Sequence, residues 1–438
     1  MKYALVTFGC RVNQADSLRI EEDLRARGAS DAPPGEADVV VVNTCSVTAT
    51  ADQGARQTIR RIARENPSAR IVVTGCYATR QAGDVAALPG VVRVVANPDK
   101  PRLLDAIAST FNISTSERFG DGDGACGAAI QPGVAGRTAF TLRVQTGCEE
   151  QCSYCIIPST RGASQSVPIP NLIREVRRIA AAGFREIALT GVHLGSYGRD
   201  LAPSVTLVGL LRALAALDKD VTFRISSLEP MDCTPDIVNL VAQSGGRFAP
   251  HFHLPLQHAS NPMLERMRRP YTLEFYERLT ASLADLLPHA SIGSDVIAGF
   301  PGETDEEFDA NIAYLPVSPL SHIHVFPYSD RPGTDASAMR DKVAPTVIRE
   351  RAARLRQIGA ELSARFRSSQ IGSVRPALTI DDGASVVTDN YLKLRIEAGL
   401  PRNERVRVRV DDQFSGTLIE TTCRPDLPPS RIAPADSP

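Results

Sequence analysis

Three cysteines in one short run, Thr146-Gly147-Cys148-Glu149-Glu150-Gln151-Cys152-Ser153-Tyr154-Cys155, carry the clearest chemistry in the chain. Their spacing, three residues and then two between thiols, delivers three thiolates from a single loop. A cubane [4Fe–4S] cluster is ordinarily held by four cysteines, so three leave one iron open to a small molecule. A structural zinc site is the competing reading. Zinc, however, favours four closed ligands arranged as paired Cys-x2-Cys units.

Three further cysteines stand far apart in sequence: Cys10 after Gly9, Cys45 after Thr44, and Cys76 after Gly75. Each falls directly after an apolar, strand-like run. In an open parallel sheet those strand ends share one edge, where ligands bind, so the three thiols can converge. One such cysteine alone is most often a buried core thiol. Three at the same topological position point to a second cluster with three protein ligands. Cys126, Cys233 and Cys423 belong to neither set and are expected to be unliganded thiols.

Positioning six thiols in this way asks for two α/β units. Tyr3–Phe8, Asp38–Val42 and Arg70–Thr74 are strand-like, and each is followed by a turn and a helical pattern, the rhythm of a parallel, Rossmann-like sheet. From Phe140 the rhythm resumes in longer units. Strand candidates are 140–145, 186–190, 221–226, 251–256, 292–298 and 322–326. Six βα units predict an open or partial (β/α)6 barrel of the TIM type, with its chemistry at the C-terminal strand ends. An Arg-rich amphipathic stretch, 345–368, closes this region. Short alternating strands such as Arg405-Val-Arg-Val-Arg-Val410 then predict a small β-barrel.

The arrangement of two three-cysteine sites, with the motifs around them, resembles the methylthiotransferase family of radical S-adenosylmethionine (SAM) enzymes. Cys-x3-Cys-x2-Cys is the radical SAM signature. Residues 8–17, 43–48 and 73–78 look like the family's N-terminal domain. Gly191–Gly198, Arg224–Pro230, His251–His258 and Asp295–Glu303 look like its barrel, and the terminal β-barrel resembles its TRAM domain, an RNA-binding module. Residues 324–334 (HVFPYSDRPGT) and 388–393 (TDNYLK) most resemble the branch acting on N6-threonylcarbamoyladenosine in tRNA. Two positions depart from the family pattern: Thr146, where relatives often have Asp, and Gln165, where they often have Arg, a role Arg161 is placed to take.

The resemblance implies an N-terminal methylthiotransferase domain over 1–112, a Gly-rich linker over 113–139, a radical SAM barrel over 140–368, a TRAM-like domain over 372–424 and a disordered tail over 425–438. It implies two [4Fe–4S] clusters, on Cys10, Cys45 and Cys76 and on Cys148, Cys152 and Cys155. The second would reduce SAM to methionine and a 5′-deoxyadenosyl radical. A further SAM would methylate sulfur carried at the first, placing a 2-methylthio group on the adenosine 3′ to the anticodon. Implied partners are a tRNA anticodon stem-loop, an electron donor such as flavodoxin or ferredoxin, and a sulfur source. Gly191 and Gly195 are expected to admit the SAM amino-acid moiety, Glu229 and Gln257 to bond its ribose or amino group, and Asp295 to Gly299 to line its adenine. His251 and His253 share a strand face and are expected to be groove histidines rather than metal ligands. Modification of isopentenyladenosine or of a ribosomal protein is the alternative within the family, and a non-catalytic iron–sulfur RNA sensor the alternative outside it.

Composition is consistent with this reading. The 438 residues carry 49 Lys and Arg against 50 Asp and Glu, and a net charge of −1 excludes a globally basic nucleic-acid binder. RNA contacts must come from local patches, for which Arg56, Arg60 and Arg64 on one helix face and Arg405, Arg407 and Arg409 on one strand face are candidates. Nine cysteines, an odd number, fit metal-bound thiols in a reducing cytoplasm better than a disulfide framework. The N-terminus reads as a strand, not a secretory leader, and no run of about 18 apolar residues marks a membrane span.

Overall fold

The computed structural model describes residues 1–46, 48–111, 132, 138–397 and 399–421. The expected tail and most of the expected linker, with Cys126 and Cys423, lie outside the described residues.

The N-terminal sheet comprises β1 (Lys2–Thr7), β2 (Ser30–Asp31), β3 (Val39–Thr44), β4 (Arg70–Gly75) and β5 (Val91–Val95), in the order β2-β1-β3-β4-β5 with every pairing parallel. The four valines of β3 are completely buried because helices cover both faces of the sheet. Ile59 and Ile62 of the helix Ala49–Glu65 pack on one face. Ile20 and Leu24 of the helix Arg11–Ala26 pack on the other.

β6 (Phe140–Arg143) leads into a small antiparallel pair, β7 (Gln145–Thr146) with β8 (Gln165–Ser166). Thr146 and Gln165, the two departures from the family pattern, are cross-strand partners in it. Five more parallel strands follow: β9 (Glu186–Thr190), β10 (Thr222–Ile225), β11 (His251–His253), β12 (Ser291–Ala298) and β13 (His322–Pro327). They form two three-stranded sheets, β10-β9-β6 and β11-β12-β13, joined through single bridges at Phe223–Phe248 and Ser227–His253. The strand expected over 251–256 stops at His253. Six strands in one curved wall match the expected partial barrel.

Alternation along each strand separates two faces. Leu142, Ile187, Leu189, Phe223, Ile225, Ile292 and Val296 point outward into one core under the helices. The inward residues include Thr141, Glu186, Arg224, His253, Asp295, His322 and His324. A TIM-type interior is normally filled by branched apolar side chains. This lumen is polar instead, and a cavity of about 150 Å3 opens among Arg11, Thr141, Glu186, Arg224 and Tyr391. The helix Arg11–Ala26 packs against β6, where the sheet ends, and the helix Pro345–Ser369 packs on β12 and β13.

The C-terminal strands β14 (Val374–Ile380), β15 (Ser385–Thr388), β16 (Lys393–Arg395), β17 (Arg405–Val410) and β18 (Gly416–Thr421) form an antiparallel sheet in the order β16-β15-β14-β17-β18. It curls until its edges touch at one point, where the Arg395 amide donates to Phe414 O at 2.8 Å. The result is the small C-terminal barrel expected, in the form of a half-barrel. It covers the N-terminal ends of the barrel strands: Asn403 Nδ2 donates to Gly183 O at 2.7 Å and Asn390 Nδ2 to His289 O at 2.8 Å. Val406, Val408 and Val410 face inward as expected. The arginine stripe is not uniform, however. Arg405 turns against the barrel, 2.8 Å from Asp220, whereas Arg407 and Arg409 are exposed beside Glu420 and Asp411.

Candidate active site

Cys10, Cys45 and Cys76 leave the C-terminal ends of β1, β3 and β4, three adjacent strands. Cys10 caps the helix Arg11–Ala26, and Cys76 opens the helix Cys76–Arg80. Gly9 lies so close to Cys45 that a Cβ on it would sit 2.4 Å from the Cys45 sulfur, and its φ is +90°. The first and second thiol-bearing turns are therefore in contact.

Cationic side chains surround these thiols. Arg161, from the barrel, faces Cys76 and Cys10 and donates to Asn13 Oδ1 at 2.5 Å and Thr146 Oγ1 at 3.2 Å. Asn97 Nδ2 lies 3.5 Å from the Cys76 sulfur and 2.9 Å from Thr160 O. Arg331 is 4% exposed and lies near Cys45, yet its Nε and Nη2 have no hydrogen-bond partner among the described residues. Orphaned guanidinium donors beside three thiols suit an anionic group held there, which would satisfy them. Behind this ring sits Asp16. Burial alone would raise its carboxyl, but Lys100, Arg143 and Arg161 outweigh that and hold it below the usual carboxylate range.

The second thiol set lies in the loop after β7. Gln145, fully buried, organises this loop: its Nε2 donates to Gly147 O at 2.8 Å, while its Oε1 accepts from the amides of Val192 at 2.9 Å and His193 at 3.0 Å. Arg269 Nη1 donates to the Cys152 sulfur at 3.1 Å, and Arg269 also pairs with Glu229. His193 lies 2.7 Å from Asp232 and beside Cys148. Burial opposes a charge on His193, but Asp232 and Cys148 overcome it and raise the imidazole to about 10. Burial pushes the Cys155 thiol up to about 12 and the Cys152 thiol upward as well, so a metal must displace their protons to bind. Three thiols from one loop, with Arg269 and His193 to balance their charge, fit a cluster that leaves one iron open. The helix Ile157–Arg161 follows directly on the second thiol loop and ends at Arg161, which faces Cys76 and Cys10, so one short element links the two thiol sets.

Residues 2–97 match the uncharacterized protein family UPF0004, and residues 142–315 match the Radical SAM superfamily. The threonylcarbamoyladenosine tRNA methylthiotransferase MtaB of Bacillus subtilis is 34% identical, over 93% of this chain and 96% of that protein. The chain belongs to the radical SAM methylthiotransferase family. The ribosomal protein uS12 methylthiotransferase RimO of Salinispora arenicola is 33% identical over 87% of this chain and 84% of that protein. Among solved structures, the radical SAM methyltransferase TsrM of Kitasatospora setae aligns with a TM-score of 0.54 at 16% identity, covering 77% of this chain and 74% of that one, which shows the shared fold.

A radical SAM methylthiotransferase works with SAM and a [4Fe–4S] cluster, and the residues expected to hold SAM all sit at or near the C-terminal strand ends of the barrel. Their surroundings differ from simple exposure to a ligand. Side chains on Gly191 and Gly195 would strike Gln145 and the Asp232 carboxylate, so these glycines make room for the residues that brace the cysteine loop. Glu229 is engaged by Arg269. Gln257 has a φ of +69°, rare for a residue with a side chain, and its amide donates to Asp295 O at 2.8 Å. The Asp295 carboxylate meets His253 at 3.0 Å. Gly299 packs under Ile348, and its amide donates to Glu303 at 2.6 Å.

Sequence reasoning gave no role to Arg269, His193, Asp232, Arg331 or Asn97, although His193 and Arg331 lie within the 191–198 and 324–334 motifs. Each comes from a loop far in sequence from the thiols it serves, and one sequence carries no sign of that proximity. It also passed over His322 and His324, for which a signal did exist: His-x-His on a strand puts both rings on one face. Cys233, expected to be an unliganded thiol, is buried with its pKa pushed up to about 12 by desolvation, as suits a core position. Among the described residues no helix is long and apolar enough to cross a membrane.

Proposed function

We propose that the chain installs a 2-methylthio group at C2 of N6-threonylcarbamoyladenosine, 3′ to the anticodon of a tRNA. The observation that carries the reading is the pairing of two three-cysteine sites, one at the C-terminal edge of the N-terminal sheet and one at the C-terminal strand ends of the barrel, joined by one short helix. Cys148, Cys152 and Cys155 would hold the cluster that reduces SAM, and Cys10, Cys45 and Cys76 a second cluster bearing the sulfur to be transferred. Bound together, these groups supply reductive SAM cleavage, chemistry strong enough to remove an aromatic hydrogen that acid–base catalysis cannot.

The chain's own residues prepare the site for it. Gln145 fixes the cysteine loop to the Gly191–His193 turn. Arg269 and His193 neutralise thiolate charge on one side, and Arg161 and Arg331 on the other. Glu229, Gln257 and Asp295 edge the SAM position. Arg56, Arg60 and Arg64 run along the helix Ala49–Glu65, with Arg60 and Arg64 exposed, and offer a line of phosphate contacts leading away from the Cys45 turn. The anticodon loop presents a partly unstacked base, which lowers the cost of reaching it. An electron donor and a sulfur source complete the partners.

Support for the threonylcarbamoyl branch comes from the 324–334 and 388–393 motifs and from the MtaB relative. The test is nucleoside mass spectrometry on tRNA from a bacterial host lacking its own methylthiotransferases and expressing this chain. A 2-methylthio-N6-threonylcarbamoyladenosine peak is the expected result. A 2-methylthio-isopentenyladenosine peak would replace the substrate and keep the chemistry. Neither product, from protein carrying both clusters, would overturn the tRNA reading in favour of a ribosomal protein.

A further inference from the structure

Four histidines line the barrel wall on the β11-β12-β13 side, and three of them converge. One nitrogen from each of His253, His322 and His324 lies within 4.8 Å of the other two. Three nitrogens on one zinc ion at about 2.0–2.1 Å lie about 3.3 Å apart in tetrahedral geometry, a spacing that small ring rotations reach from here.

Two details bear on whether this is a ligand set or a chance cluster. The first is what the opposite ring nitrogens do. His253 Nε2 lies 3.0 Å from the Asp295 carboxylate, which assigns the proton to Nε2 and the lone pair to Nδ1. His322 Nδ1 lies 2.9 Å from Ser321 Oγ, a hydroxyl that also meets Ile292 O at 3.0 Å and Ser291 Oγ at 2.9 Å; this network occupies Nδ1 and, in the tautomer with Nδ1 protonated, leaves the lone pair on Nε2. Metal-bound histidines are oriented in this way, with the far nitrogen donating to a carboxylate or another oxygen. The second detail is Gly293, between the two rings. A Cβ there would stand 2.2 Å from His322 Nε2 and 3.1 Å from His253 Nδ1, the two atoms that carry lone pairs. The glycine therefore keeps open the space into which both nitrogens point.

We propose that His253, His322 and His324 bind a divalent transition-metal ion of the zinc class, at a third site separate from both cysteine sets. Three nitrogen ligands leave a fourth position, and His324 is the exposed member of the group. His253, expected from the sequence to be a core or groove histidine and not a metal ligand, gains this role through the two histidines that β13 brings alongside.

The experiment uses protein carrying both iron–sulfur clusters, verified by iron content, so that zinc cannot occupy empty cysteine sites. After dialysis against micromolar zinc and then zinc-free buffer, metal content is measured by mass spectrometry. About one zinc per chain is expected for the wild type, and none for the His322→Ala, His324→Ala double variant at unchanged iron content. No retained zinc in the wild type, or equal zinc in the double variant, overturns the proposal. Should the double variant fail to fold, His324→Gln at the exposed position decides the matter: at least a tenfold loss of zinc affinity is expected, and unchanged affinity overturns it.

Discussion

At the scale of single residues, the site depends on groups whose importance lies in what they leave room for. Gly9→Ala places a methyl where the Cys45 side chain now sits, in a backbone conformation that disfavours any side chain. The expected outcome is loss of the cluster at the N-terminal site alone: iron falls from about 8 to about 4 per chain, and reductive SAM cleavage persists. Iron analysis and quantified 5′-deoxyadenosine check both parts. Asp16 makes a different case, because its charge is held by three cations. Its folded pKa is depressed, so its stabilisation is complete above the unfolded value of about 4 and is lost as the pH falls through the folded value. Asp16→Asn is therefore expected to cost about 3 kcal/mol at pH 7, and its melting temperature to approach that of the wild type below about pH 4. Parallel thermal melts across that range measure the gap. The thiols themselves were legible in the sequence because spacing and strand ends announce them. The part played by Arg269 and Arg331 was not, since burial beside a thiol leaves no local mark, even though Arg331 lies within the 324–334 motif.

At the scale of elements, the strands were read well wherever an apolar run met a turn signal. β1, β3 and β4 begin and end within two residues of expectation, and all six barrel strands exist where the pattern placed them. The pattern failed where tertiary contacts decide. Residues 254–256 continue the apolar run of β11 but leave the ladder at Pro255, which has no amide to donate. Arg405 shares a face with Arg407 yet is drawn to Asp220 by the docking of the curled sheet. The helix Pro345–Ser369 shows how an element is attached by a buried charge. Arg351 donates to Glu303 at 2.7 Å, and Glu303, fully buried, also meets His258 at 3.0 Å. Arg351→Met leaves that carboxylate without its cation and is expected to destabilise the barrel by about 3–5 kcal/mol. A denaturant titration gives the magnitude, and a change below about 1 kcal/mol would show that His258 and the Gly299 amide suffice for Glu303.

At the scale of the whole molecule, three regions meet around one lumen. Arg11, next to Cys10, donates to the Tyr391 hydroxyl at 2.8 Å, and Tyr391 lies over Arg224, 4.7 Å from ring centre to guanidinium. Arg224 pairs with Glu186 through two hydrogen bonds of 2.9 and 3.0 Å and donates to Asp389 O at 2.9 Å. Arg224→Met is expected to release the C-terminal sheet and expose the chain near Ser368–Ser373 to protease. Limited proteolysis followed by mass mapping reads this directly, and an unchanged digestion pattern would show that the remaining contacts, from Asn390, Asn403, Arg405 and Tyr391, hold the sheet without Arg224. This junction was invisible in the sequence, which gave the sheet but not the surface it covers. The covering has a consequence for biosynthesis. The last barrel strand is complete at Pro327, and Tyr391 leaves the ribosome about 60 residues later, several seconds at about 5–20 residues per second. In that interval the N-terminal ends of the barrel strands stand uncovered, and the buried Arg224–Glu186 pair beneath them is open to water until the final strands dock.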